Sequence, residues 1–98
     1  MDDPAPLRWR RTSFTRLDGS IEVAPDDWVL KEPGWSYGRI YRIVGGPMHD
    51  HWFWAAYHHD PNGHPLNGGA GDAPDGRAAR EEVERRQPEE VRARITRG

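Results

Sequence analysis

The chain has 98 residues, no cysteine, a formal net charge of −2 and only 35% hydrophobic residues, among them five Trp, three Tyr and two Phe. That length fits one domain with a small core, in which a few aromatics must supply most of the buried area. Without cysteine there is no disulfide framework, thiolate nucleophile or Cys-based zinc site. The charges also balance locally, with seven of each sign in residues 1–44 and again in 72–97, so no segment has the positive excess that phosphate binding draws on.

Residues 1–6, acidic and proline-rich with no apolar stretch, read as a disordered lead-in and not as a signal peptide. Leu7 to Leu17 alternates loosely and meets Asp18-Gly19, a two-residue hairpin signal. That turn pairs Arg16 with Ile21 and Phe14 with Val23, and places Phe14, Ile21 and Val23 on one half-buried face. Trp9 has the opposite parity to Phe14, so a bulge between them is expected. Pro25-Asp26-Asp27 is read as a break before a short apolar piece, Trp28-Val29-Leu30, and Pro33-Gly34 as a turn. The β-branched and aromatic run Tyr37–Val44 predicts a strand.

The densest run of large side chains, His51–His59, is expected to be the central strand, with Trp52 and Trp54 on one face and Phe53 and Tyr57 on the other. Asp60-Pro61-Asn62-Gly63 predicts a turn that pairs His58 with Leu66 and Trp54 with Ala70. The return strand, with Gly68, Gly69 and Gly71, is expected to be weak and short, yet bare enough to let another element lie close to Trp52 and Trp54. Asp75 is a plausible N-cap for a helix ending before Pro88, with a narrow stripe of Ala78, Ala79 and Val83 toward the sheet. The reading is an α+β fold: a small antiparallel sheet of four to five strands, one C-terminal helix packed on one face, and a mobile C-terminal tail. The domain spans residues 7–87, and residues 88–98 form a short helical or disordered tail in which Val91 and Ile95 are the apolar positions.

Trp52-Phe53-Trp54, Gly71-Asp72-Ala73 and Ala79-Arg80 with Glu81, Glu82 and Glu84 form a pattern over roughly residues 37–86. It resembles small bacterial and phage-associated α+β proteins of unknown function that carry a W-x-W strand, a G-x-A step and an A-R or A-K helix. The resemblance implies an αβ layout and no chemistry. The chain departs from it in its longer His-rich turn and in Asp75-Gly76. The sheet-then-helix order is also similar to that of the arm-binding domains of phage integrases, an analogy of fold alone.

Both faces of the Trp-rich strand are apolar, and one helix covers one of them. The other is covered by the N-terminal hairpin and the Trp28 segment, or else by a partner. Arg39, Tyr41, Phe53 and Tyr57 are the candidate partner-binding residues, for a protein partner or a homodimer. With Arg42 they also form the contacts of an alternative, a sheet-based nucleic-acid platform, which charge balance disfavours. A third reading is a weak metal site at His58, His59 and His64, which the turn brings to one end of the sheet, far from His49 and His51. The bland reading of all five histidines is exposed strand ends.

Catalysis lacks support. Ser13, Ser20 and Ser36 have no nucleophile-elbow context, Gly68–Gly71 has no Walker-type Lys, and Glu81 and Glu82 are a solvated charge run. No cofactor is expected. No run approaches the ~18 apolar residues of a membrane span, and the expectation is a cytoplasmic, non-catalytic interaction module that binds a protein partner or a copy of itself.

Overall fold

The computed structural model describes residues 6–59 and 62–95. Five strands follow in chain order, each antiparallel to the next: β1 (Arg8–Thr15), β2 (Ile21–Glu32), β3 (Trp35–Arg42), β4 (Trp52–His59) and β5 (Pro65–Ala73). Helix α1 (Gly76–Arg85) and a single turn, α2 (Glu89–Arg92), complete the chain. The antiparallel sheet with its C-terminal helix is the α+β layout expected. The Trp-rich run is β4, with β3 and β5 on either side, but by order the central strand is β3.

Turn chemistry sets the registers. Arg16 N donates to Ser20 O at 2.7 Å and Gly19 N to Arg16 O at 2.9 Å, with Gly19 at φ +88. This is a type I turn closed by a left-handed glycine, one residue longer than the turn expected. Thr15 therefore faces Ile21 and Ser13 faces Val23. A one-residue slip exchanges the two faces of a strand. Ile21 and Val23, expected to be half-buried, are 70% and 49% exposed.

The bulge between Trp9 and Phe14 is present, because the β1–β2 register shifts between Arg11 and Ser13. It also explains why Pro25-Asp26-Asp27 does not break β2. Arg11 pairs with Trp28 and Ser13 with Val23, so Pro25 falls in the stretch that β1 skips and needs no N–H there. Thr12 Oγ1 spans the gap by donating to Asp27 Oδ1 at 2.8 Å. Pro33-Gly34 then turns tightly, Glu32 facing Trp35 and Gly34 at φ +85, which starts β3 two residues earlier than expected.

At the far hairpin His58 faces Leu66, as expected. Asp60 and Pro61 of that turn lie outside the described residues. A shift between Ala55 and Tyr57, next to Gly69 at φ +110, moves Trp54 opposite Gly71 instead of Ala70. The return strand is not short: it runs nine residues. The bulge absorbs the glycines while pairing continues on both sides of it.

Asp75 caps α1, its Oδ1 accepting from Ala78 N at 2.8 Å. Ala79 and Val83 are fully buried and the helix packs on β3, β4 and β5. Its approach depends on missing side chains. A Cβ at Gly38 would lie 2.3 Å from Val83 Cγ1 and 2.9 Å from the Ala55 carbonyl oxygen, and one at Gly76 would lie 3.2 Å from the Trp52 ring. The core on this side joins Leu7, Leu30, Ile40, Trp54, Ala56 and Ala73 to the helix.

Residues 89–95 are held, and the mobile tail is not seen over that span. Leu7 N donates to Arg94 O at 2.8 Å, and Leu7 and Ile95 form a parallel bridge that adds an extended pairing beyond the five strands. Arg94 pairs with Glu32, and Val91 and Ile95 pack against the core. Leu7 is completely buried, and its burial is what the two apolar residues of the tail complete.

Replacing Gly38 with Ala should destabilise the fold by about 1–3 kcal/mol, because the new methyl group overlaps Val83 and meets backbone at Ala55. Urea denaturation of the variant measures it, and an unchanged midpoint would show that α1 can shift outward at no cost.

Candidate functional site

Side chains alternate across β3 and β4. Gly38, Ile40, Trp52, Trp54 and Ala56 face α1, and Arg39, Tyr41, Phe53, Ala55 and Tyr57 face the other way. Register brings these into rows: Arg39 is opposite Ala55, and Tyr41 opposite Phe53. The Tyr41 and Phe53 rings lie 5.0 Å apart, and the Arg39 guanidinium stands 4.9 Å over the Tyr41 ring. All four residues picked from the sequence thus share the sheet face opposite the helix. Tyr41, Phe53 and Tyr57 are half-buried there by their strand neighbours alone. The cover expected from the N-terminal hairpin is not provided, since β1 and β2 extend the sheet sideways. The elements that lie off the sheet, α1 and α2, both pack on the other side, so no described element covers this face.

Arg39 is not a free cation. Its Nε and Nη2 reach both oxygens of Asp27, at 2.9 and 2.5 Å, a bidentate geometry. The Arg39 guanidinium, and after it the Thr12 hydroxyl, hold the Asp27 carboxyl below its ordinary range despite partial burial. Arg42 falls on the opposite face, away from the other four, and bridges Asp26 and Asp50 at 3.0 Å each.

The histidines are dispersed. His58 and His59 are adjacent on β4 and so point to opposite faces. His58 Nε2 donates to Arg86 O at 2.8 Å, and His59 Nε2 to Ser36 O at 2.7 Å. His59 also sits edge-on against Trp35 and Tyr37, at 4.8 and 5.3 Å. His64 is exposed beyond the turn. His49 and His51 do not share an extended strand, because residues 47–50 turn and Asp50 has φ +72. Among the described residues, no group of three His, Asp or Glu is placed to hold a metal ion.

A second feature was not foreseen. On the helix side, Trp9, Trp28, Ile40 and Trp52 wall a cleft of about 170 Å³ with Arg77 and Arg80 at its rim. Trp9 Nε1 donates to Glu84 Oε2 at 2.9 Å, which accounts for a buried carboxylate on α1. The Arg11 guanidinium lies 5.1 Å from the Trp28 ring centre. Trp9 and Trp28 meet Trp52 only once the β1–β2, β2–β3 and β3–β4 registers are known, and no short motif announces that.

No family model, curated protein or solved structure matches this chain. Among the described residues, no helix is long and apolar enough to cross a membrane.

The Asp27 shift makes a pH prediction. A carboxyl with a lowered folded-state pKa adds stability above its ordinary value, near about 4, and loses it as pH falls through the lowered value. Asp27→Asn should therefore melt lower than wild type at neutral pH, and the gap should narrow steadily below about pH 4. Melting temperatures from pH 2 to 7 test this, and a gap that stays constant would mean the pair contributes nothing that titrates.

Proposed function

We propose that this protein is a non-catalytic interaction module whose open sheet face binds a protein, and that the partner is a second copy of the chain. The observation that carries this is the row of Tyr41, Phe53 and Tyr57 on a face no described element covers. Large rings with a polar edge, next to an arginine, are the side chains that dominate protein interfaces when water is excluded from them.

Charge supports the self-complementary form. By strand parity Arg8, Arg10 and Lys31, all exposed, lie on this face at the β1–β2 side, and Asp72, also exposed, lies on it at the β5 side. A twofold axis running along the strands stacks the β1 edge of one sheet over the β5 edge of the other, so opposite charges meet at both rims. The apolar middle, Val29, Tyr41, Phe53, Ala55 and Tyr57, then meets itself.

The nucleic-acid alternative draws less support from the same geometry. Phosphate binding uses cations that shed counterions, whereas Arg39 is neutralised by Asp27 and Arg42 by Asp26 and Asp50. The base-stacking surface is there, but Arg39, the cation that lies over its Tyr41 ring, is already paired.

Sedimentation velocity between about 5 and 500 µM should show mass rising toward a dimer. Phe53→Lys should weaken association at least about tenfold while leaving the fold intact, since the ring is truncated from the interface and not from the helix-side core. Asp72→Lys should weaken it too, and adding Arg10→Glu should restore it. A wild-type chain that stays monomeric over the whole range would sink the proposal.

A further inference from the structure

The helix-side cleft supports a separate reading, independent of the open face. We infer that it is a binding site for a small aromatic carboxylate. Its volume of about 170 Å³ matches a single ring, since an apolar cavity of about 150 Å³ in a protein core holds benzene. Three of its walls are indoles, from Trp9, Trp28 and Trp52, and aromatic rings meeting edge to face gain beyond what area burial alone provides. The ring would enter between strands β1, β2 and β4 at the first turn of α1, where Gly76 packs close against the Trp52 ring and helps form the wall.

The rim fixes the sign of the ligand. Arg77 and Arg80 are three apart and share one side of α1. Arg77 is engaged by Glu81 at 3.2 Å. Arg80 differs: its Nε is buried and has no hydrogen-bond partner. Arg80 also lines the cleft, and a carboxylate bound there would accept a charge-assisted bond from its terminal guanidinium nitrogens. No acid lines the cleft, and the nearby Glu84 already accepts from Trp9 Nε1 at 2.9 Å. Three indoles alone would suit a quaternary ammonium, but two guanidinium groups at the mouth, with Arg11 behind Trp28, repel a cation.

The test titrates the full chain with benzoate, with benzamide as its neutral isostere, and with benzyltrimethylammonium as a cation of similar girth. Indole N–H resonances of Trp9 and Trp52 report occupancy. Benzoate should shift them saturably and bind at least about tenfold more tightly than benzamide, with the cation weakest. Arg80→Met keeps the aliphatic stem and should bring benzoate to within about threefold of benzamide, leaving benzamide unchanged. Arg80→Lys, which keeps the charge without the Nε donor, serves if the Met variant does not fold, and should retain part of the preference. Phe53→Lys should bind benzoate like wild type, which separates failure at the cleft from failure at the open face. Equal binding of benzoate and benzamide, tighter binding of the cation, or no shift with any probe up to about 20 mM would each overturn the inference.

Discussion

Val83 rests against the backbone of β3 at Gly38, closer than any side chain there would permit. This contact governs the architecture. It draws α1 down until Ala79 and Val83 are wholly buried, and it lets a helix with so few apolar residues count as cover for a sheet. Among the described residues there is no second helix of comparable size. Once α1, with the short segment ending at Ile95, is spent on one face, the opposite face must be finished by its own side chains or by another molecule.

The sheet adapts through its irregularities. Extra residues are accommodated at three places in two hairpins: at Gly19 and in the stretch opposite Thr12 between β1 and β2, and beside Gly69 between β4 and β5. Each shift changes which side chains face the helix. The bulge in β2 keeps Trp9 and Trp28 together on the helix side while Asp27 turns toward Arg39 on the other. The glycine bulge in β5 places Gly71 beside Trp54, where a Cβ would meet the ring at 3.1 Å. Removing these irregularities would keep five strands but mix the two sets of side chains, and neither surface would survive.

What could be read in advance was whatever depends on local chemistry. The Asp75 cap, the Ala79–Val83 stripe, the extended Trp52–His59 run and its two neighbours all rest on residue type and periodicity within a few positions. Alternation likewise puts Arg39 with Tyr41 and Phe53 with Tyr57 once β3 and β4 are strands, but that all four share one face follows from the β3–β4 register. Registers were less legible. Asp18-Gly19 is compatible with a two-residue turn and with the longer one that forms, and the difference of one residue moved Ile21 and Val23 to the exposed side. Pro25 looked like an interruption because nothing local shows that β1 passes it by. The cleft was invisible for the same reason: Trp9, Trp28 and Trp52 are nineteen or more residues apart and converge only through three strand pairings, β1–β2, β2–β3 and β3–β4.

The arginines distinguish the two surfaces. On the open face Arg39 lies over Tyr41 and is matched by Asp27, so the guanidinium there is a neutralised extension of the aromatic row. Such a surface is ready to lose water against another protein without stranding a charge. On the helix face Arg80 reaches the mouth of an indole-walled cleft with its Nε unmatched. The aromatic carboxylate we infer there would have to be small enough to enter beside Trp52 and flat enough to stack. The same residue type thus lies matched to a carboxylate of its own sheet on one face and lines an aromatic cleft on the other, and the two proposed ligands, a broad apolar surface and a compact anion, rest on that difference.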